Sequence, residues 1–207
     1  MTRRASAVAH TRRRIIDATL ALHTEQGIAA TSWDDIAARA GVGVGTVYRH
    51  FPSLDELIPA CGEISMRTVA LPPPARVASV FDGVHAPAQR IELLVHEAFA
   101  MYERGAPVLR AIRKEPEVHP RVTEDAEVLE ASLTALVDAA LEPSEVPPAE
   151  RAIVRAMIDL GTWQALRDQD LGPSEAVDAV SQMLAARVAH PAPRGVTSEP
   201  DRSSERP

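Results

Sequence analysis

Apolar residues recur along most of this chain at spacings of three and four residues, the period of an amphipathic α-helix. The first such segment extends from Thr11 to Gly27, where Ile15, Ala18 and Leu22 share one predicted face. Gly27 is a typical stop signal, because glycine accepts the backbone conformation that ends a helix. This pattern predicts a first helix over residues 11–27, preceded by a flexible arm over residues 1–10.

Two shorter helices are predicted to follow the first. Ser32 is placed to cap a helix whose third residue is Asp35, and Gly41 ends that helix after about two turns. A third helix is predicted over Val44–Phe51, and it ends before Pro52 because the residue that precedes a proline is disfavoured in helical conformation. Residues 11–52 are therefore predicted to form a small three-helix domain.

The remaining sequence predicts a larger helical domain over residues 53–190. Ser53 and Glu56 resemble a capping box that begins a helix toward Leu71, and Pro59 is expected to kink this helix. Further helices are predicted over Pro87–Arg104, Pro107–Lys114, Arg121–Leu141, Ala149–Arg167 and Pro173–His190. Residues 191–207 are rich in Pro, Ser and Arg and are predicted to be a disordered tail.

The composition supports an all-α fold. Of the 207 residues, 45% are hydrophobic and 25% are charged, which is typical of a folded domain, and the aromatic content of 3% disfavours a β-sandwich.

No apolar run approaches the roughly 20 residues of a membrane span. Met1–His10 lacks the apolar segment of a signal peptide. Cys61 is the only cysteine, so an intrachain disulfide is excluded. We therefore expect a cytoplasmic protein that does not contact a membrane.

Charge is distributed unevenly between the two predicted domains. Residues 1–52 contain seven Arg and no Lys against four acidic residues, a net charge of +3, whereas residues 53–207 have a net charge of −10. Nucleic-acid affinity derives largely from Lys and Arg that neutralise phosphates. DNA binding is therefore compatible with the first domain and not with the second.

Within the first domain, residue spacing favours a helix-turn-helix. Ala37 is a small residue where two helices could cross, Gly41 could form the tight turn, and Val47 could anchor the next helix. A compact helical hairpin without DNA-binding function can show the same spacing. The predicted third helix also carries side chains suited to phosphate or base contacts, none of them acidic: Thr46, Tyr48, Arg49 and His50.

The segment from Thr31 to Leu57 resembles the DNA-binding segment of the tetracycline-repressor (TetR) family, through "IAARAGV" beginning at Ile36 and "GTVYRHFPS" beginning at Gly45. The resemblance implies a homodimer whose third helix lies in the major groove of an operator. With the basic start of the first helix included, the candidate DNA-binding residues are Arg12, Arg13, Ser32, Trp33, Gly43, Val44, Gly45, Thr46, Tyr48, Arg49 and His50.

Two positions depart from the family pattern. Gly43 replaces the Ser or Thr that usually caps the recognition helix, and Leu54 replaces a Lys that commonly reaches the DNA backbone. Loss of one phosphate contact would place more weight on the arginines at residues 12–14. Arg49 is the candidate base-reading residue, because a guanidinium can bond both N7 and O6 of guanine; the alternative is a solvent-facing Arg paired with an acid.

For the second domain, the resemblance implies a dimer interface and an effector site. The last two predicted helices carry apolar stripes, and in the family such helices pair with those of a second copy, which places the recognition helices roughly 34–36 Å apart on an inverted-repeat operator. The candidate effector-binding residues, which could equally be ordinary core residues, are Met66, His96, Phe99, Met101, Tyr102, Leu109 and Trp163.

Motifs typical of helical enzymes are absent from the sequence. Glu92 and His96 are four residues apart, not the three of a di-metal site, and His-Glu-x-x-His, Gly-x-Ser-x-Gly and phosphate-loop motifs do not occur. We therefore expect no cofactor, no metal and no catalytic residue. The favoured interpretation is a repressor released from its operator by an unknown small molecule. The alternatives are an activator or protein-responsive regulator of the same fold, or a helical small-molecule enzyme.

Overall fold

The computed structural model describes residues 3–189 and contains no β-strand within that range. Its α-helices are α1 (Arg3–Gln26), α2 (Trp33–Ala40), α3 (Val44–His50), α4 (Leu54–Val69), α5 (Pro87–Lys114), α6 (Pro120–Leu141), α7 (Pro148–Met157), α8 (Leu160–Arg167) and α9 (Pro173–Ala189), with a 3-10 helix over Pro74–Phe81 between α4 and α5. The prediction of an all-α fold is confirmed. None of these helices is both long enough and apolar enough to cross a membrane. The predicted tail, residues 191–207, lies outside the described residues.

Two apolar cores organise the chain. The head core joins α1, α2, α3 and the first half of α4, and its largest fully buried side chains are Ile15, Ile36, Phe51 and Leu57. The body core joins the later helices around α5 and α6. Helix α4 contributes to both cores, because Leu57 packs in the head and Ile58 packs in the body. A displacement of α4 would therefore change the packing of both the head core and the body core.

The first helix begins earlier than the sequence predicts. Helix α1 begins at Arg3, whereas a flexible arm was predicted over residues 1–10 and a helix start at Thr11. Residues 3–10 contain three alanines and neither Gly nor Pro, so nothing in this segment interrupts a helix. The predicted helix start is wrong.

Helix α5 is continuous across a proline at which the sequence predicted a break. It extends from Pro87 to Lys114 with Pro107 inside it, in place of the separate helices Pro87–Arg104 and Pro107–Lys114. A proline within a helix removes one backbone donor. Here the adjacent residues Ala106 and Leu109 are buried in the body core, and this packing outweighs the local cost.

The predicted helix Ala149–Arg167 is instead two helices, α7 and α8. Asp159 separates them, because its Oδ1 atom accepts a 2.8 Å hydrogen bond from the backbone N–H of Gly161 and so caps α8. Arg113 of α5 donates a second hydrogen bond of 2.8 Å to the same atom. The break is thus stabilised by a residue distant in sequence, which an apolar pattern does not reveal.

Two further local predictions fail. Ser53 is the N-cap of α4, but its side chain makes no capping hydrogen bond, so the predicted capping box with Glu56 is wrong. The sequence predicts no helix between Leu71 and Pro87, yet Pro74–Phe81 forms a 3-10 helix. Val77 and Phe81 of that helix are buried, and the Arg90 guanidinium lies 4.8 Å from the Phe81 ring centroid.

Candidate DNA-binding surface and effector cavity

A reciprocal capping box fixes the start of α2. The backbone N–H of Asp35 donates to the Ser32 hydroxyl oxygen at 3.1 Å, while the Ser32 hydroxyl and backbone N–H donate to the Asp35 carboxylate at 2.6 and 3.3 Å. The hydrogen bonds from the Ser32 hydroxyl and then its backbone N–H lower the pKa of Asp35. The predicted cap is confirmed. Ser32, a candidate phosphate contact, thus already has its hydroxyl engaged with Asp35.

The turn between α2 and α3 has the conformation that its glycine predicts. Gly41 adopts the left-handed conformation at φ 63°, and the backbone N–H of Val42 donates to the Ala37 carbonyl at 3.0 Å. The Arg14 guanidinium donates to the carbonyls of Ala40 and Gly41. Arg14 therefore ties α1 to the turn, and its role in the structure is different from the phosphate contact considered for residues 12–14.

Helix α3 is anchored by one face and leaves the other open. Val47 is fully buried, whereas Tyr48 is 44% exposed and Arg49 is exposed. Gly43 and Gly45 are exposed, and a Cβ built on either of them meets nothing within 4 Å. The Arg49 Nη2 atom lies 3.4 Å from the Thr46 hydroxyl. A backbone bare of side chains at positions 43 and 45 permits close approach by another molecule.

The remaining candidates surround this helix. The ring centroids of Trp33 and Tyr48 are 4.9 Å apart, so α2 and α3 present an aromatic pair. The Arg12 guanidinium lies 4.4 Å from the ring centroid of Phe51, at the end of α3. Arg13 pairs with Asp17 at 2.8 Å, but both side chains are more than half exposed, so this ion pair contributes little to stability. Val44, Thr46 and His50 are half-buried.

The body contains a cavity of about 200 Å³ bordered by α5, α6 and the start of α8. Three of the seven candidate effector residues, Met101, Tyr102 and Leu109, line it together. The Tyr102 hydroxyl donates to the Ile158 carbonyl at 2.9 Å. Burial raises the pKa of Tyr102, so this phenol stays neutral. The cavity has a mostly apolar wall with a few polar groups, as small-molecule sites do.

The other candidate effector residues do not line this cavity. Trp163 packs beside it, 5.9 Å from the Tyr102 ring centroid, and donates to Glu103 at 3.0 Å. His96 and Phe99 line a separate groove between α5 and α9. Met66 is half-buried against the body core. Sequence reasoning missed most of the wall: Ile112, Arg113, Pro116, Ala126, Leu129, Glu130, Leu133, Asp159 and Leu160.

Comparison with known proteins agrees with this architecture. Residues 15–61 match the model of the bacterial regulatory proteins of the tetR family. The head of this chain is thus similar to that family over residues 15–61. The matched segment contains the whole of α2 and α3 and ends within α4, so it coincides with the helix-turn-helix head.

Two relatives are similar to parts of this chain. The chain is 51% identical over 47 residues to the HTH-type transcriptional repressor KstR of Rhodococcus jostii, a match over 23% of this chain and 22% of that protein. It is 33% identical over 104 residues to KstR of Mycobacterium tuberculosis, over 50% of this chain and 45% of that protein. The matches therefore span less than half the length of these relatives. Both relatives are named as transcriptional repressors.

The likeness in fold extends over most of the chain. The crystal structure of the TetR-like transcriptional regulator LfrR from Mycobacterium smegmatis in complex with proflavine superposes with a TM-score of 0.54, covering 87% of this chain and 97% of that one. Sequence identity is 21%, so the match establishes a shared fold only. The prediction of a helix-turn-helix domain followed by a larger helical domain is confirmed.

Helix α5 also contacts the head directly. Glu115, which ends α5, accepts a 2.7 Å hydrogen bond from the backbone N–H of Ala29 in the loop between α1 and α2. A Cβ on Gly27, at φ +100°, would lie 2.6 Å from the same carboxylate. His23 lies nearby and is buried. Burial lowers the pKa of His23 to about 4, although Glu115 opposes this shift.

Proposed function

We propose that this chain is a homodimeric transcriptional regulator that binds a palindromic DNA operator and leaves it when a small molecule enters the body. It acts as a repressor in the cytoplasm. The observation that carries this proposal is the open face of α3, where Tyr48 and Arg49 are exposed while Val47 on the opposite face of the same helix is buried. The naming of its relatives as repressors supports the sign of regulation.

The candidate contacts divide into two classes. Arg12, Arg13, Tyr48 and His50 are assigned to the phosphate backbone, which gives affinity without sequence information. Arg49 is assigned to base reading, because it extends from the exposed face of α3 and, among residues 3–189, its side chain has only the long 3.4 Å hydrogen bond to Thr46. Gly43 and Gly45 allow the start of α3 to lie close to the duplex.

Arg49→Ala is expected to weaken binding to the operator by about 10- to 100-fold, since a bidentate guanine contact contributes roughly 1–3 kcal/mol of discrimination. Binding to random DNA of the same length should fall much less. Fluorescence anisotropy with both DNAs, at two salt concentrations, measures the difference. Arg13→Ala is the matched control, because loss of a phosphate contact weakens both DNAs together. An equal loss for both DNAs in Arg49→Ala would contradict the base-reading role.

Dimerisation is proposed through the last helices, α7 to α9. Met183 on α9 is 53% exposed, the largest exposed fraction among the large hydrophobic side chains of the described residues, and Val177 and Val188 on the same helix are only half-buried. These side chains give α9 apolar surface that is available to a second copy of the chain. A two-fold dimer would present two copies of α3 to an inverted repeat.

The chain is therefore expected to be a dimer at micromolar concentration, and Met183→Glu is expected to increase the dissociation constant of the dimer. Multi-angle light scattering measures the mass. Glu175→Gln is the control, because Glu175 is an exposed residue of the same helix. It should leave the dissociation constant of the dimer unchanged. A wild-type monomer at micromolar concentration would contradict the proposed interface.

Release from the operator is proposed to follow from movement of α4, with Pro59 localising the motion. Support comes from the packing of α4 in both cores and from the 3.0 Å contact of Asp55 with His119, the N-cap of α6. The Glu115 hydrogen bond to Ala29 offers a second link between the cavity wall and the head. Operator titrations with and without a bound effector test this mechanism: an effector that binds without changing operator affinity would contradict it.

A further inference from the structure

The chemical class of the effector follows from the cavity wall. Most of the wall is apolar, and it includes these side chains of α5, α6 and α8: Met101, Leu109, Ile112, Leu129, Leu133 and Leu160. Apolar surface of this kind gains free energy when a hydrophobic molecule displaces water from it. The ligand must therefore present mainly carbon to the protein.

The charged groups at the cavity are already paired with one another. Arg113 donates to Asp159 at 2.8 Å, and Arg155, which lies behind the wall, contacts both Glu130 and Asp159. Two positive groups thus face two negative groups. Burial raises the pKa of Asp159, but hydrogen bonds from Arg113 and Gly161 outweigh it and leave the pKa below its usual value. Asp159 consequently stays ionised, and the cluster has no net charge at neutral pH.

An ionic ligand would disturb this balance. To be paired it must break an existing ion pair, and otherwise it must be buried without a counter-charge. A neutral ligand meets neither cost. The Tyr102 hydroxyl, which already donates to Ile158, can still accept one hydrogen bond from a ligand.

The volume limits the size of the ligand. A closed apolar cavity of 150 Å³ in another protein accepts benzene, and the cavity here measures about 200 Å³. We infer that the cavity binds a small neutral molecule of one or two rings, largely hydrocarbon, with a single hydrogen-bonding group, and that it rejects organic anions and cations of the same size. This inference rests on the proposed function only in naming this cavity as the effector site.

Three probes that share one naphthalene ring and carry a neutral, a negative or a positive substituent test the inference. They are 2-naphthalenemethanol, 2-naphthoate and 2-naphthylmethylammonium, titrated into the full-length protein without DNA by isothermal calorimetry at pH 7. We expect the alcohol to bind at least tenfold more tightly than either ion. Tighter binding of an ion than of the alcohol, or no binding of any of the three, would overturn the inference.

A charge variant tests the stated reason. Asp159→Asn keeps an oxygen that can cap α8 but leaves Arg113 without its partner, so the affinity for 2-naphthoate should rise at least tenfold relative to wild type. Glu127→Gln, which removes a negative charge from an exposed position of α6, should leave it unchanged. Unchanged affinity for 2-naphthoate in Asp159→Asn would refute charge pairing as the basis of selectivity.

A volume variant confirms where the probe binds. Ala126→Leu adds bulk to the wall and should weaken binding of the alcohol at least tenfold, whereas exposed Val128→Leu on the same helix should not. Helical circular dichroism verifies folding of each variant. If the alcohol binds but leaves the operator complex intact, the proposed release fails and the ligand class stands. If the protein binds an ion more tightly than the alcohol, the inferred ligand class fails, while the proposal that the protein binds an operator stands.

Discussion

Phe51→Ala is expected to lower the free energy of unfolding by about 3–5 kcal/mol, the usual cost of deleting a fully buried aromatic ring. Phe51 has no exposed surface and lies in the head core with Val47 and Leu57. Its ring also contacts the Arg12 guanidinium at 4.4 Å. The substitution leaves a cavity beneath the end of α3 and removes this contact, so operator binding should be lost together with stability.

Urea denaturation followed by circular dichroism measures this loss. Leu54→Ala is the control, because Leu54 lies three residues further along the chain and is 50% exposed; it should change stability by less than about 0.5 kcal/mol. A loss below about 1 kcal/mol in Phe51→Ala would show that α3 is not held by this ring.

His23 is expected to make the protein less stable in mild acid. The pKa of His23 is lowered to about 4 in the folded protein by burial, from 6.5 in the unfolded chain, with Glu115 acting in the opposite direction. The unfolded state therefore binds the proton more readily than the folded state. Stability that is fully present above pH 6.5 is lost as the pH falls toward 4, by about 3 kcal/mol in total.

The comparison of wild type with His23→Gln isolates this effect. The pKa of Asp125 on α6, which lines the same small cavity as His23, is raised by burial, so Asp125 favours the folded state as the pH falls and partly offsets His23. We expect the wild type to lose about 3 kcal/mol more than His23→Gln between pH 7.5 and 4 in urea denaturation. His85→Gln, at an exposed position, should behave as wild type. If the free energy of unfolding changed equally with pH in wild type and His23→Gln, the lowered pKa of His23 would be contradicted.

The head was predictable from sequence because local signals agree there. Ser32 and Asp35 cap α2 as their spacing indicates, and Gly41 adopts the left-handed conformation that the turn requires. Each of these interactions joins residues close together in the chain. The open face of α3 was also predictable, because an apolar Val47 next to polar Tyr48 and Arg49 orients the helix.

The body was less predictable because distant residues decide its details. Pro107 was expected to begin a separate helix, but burial of nearby residues in the core maintains a continuous α5. The break at Asp159 depends partly on Arg113, 46 residues earlier in the chain. For the same reason the cavity wall was only partly anticipated: Leu129 and Leu133 carry no signal that distinguishes a cavity from a core.

The two tryptophans of the chain lie in different regions, and this arrangement supplies an optical readout for each. Trp33 stacks on Tyr48 at the open face of the head, while Trp163 packs against Tyr102 beside the cavity. In a Trp163→Phe protein the tryptophan fluorescence would come only from Trp33 in the head. In a Trp33→Phe protein it would come only from Trp163 in the body. Two single-tryptophan proteins can thus follow arrival of DNA and arrival of effector as separate fluorescence signals, without an attached dye.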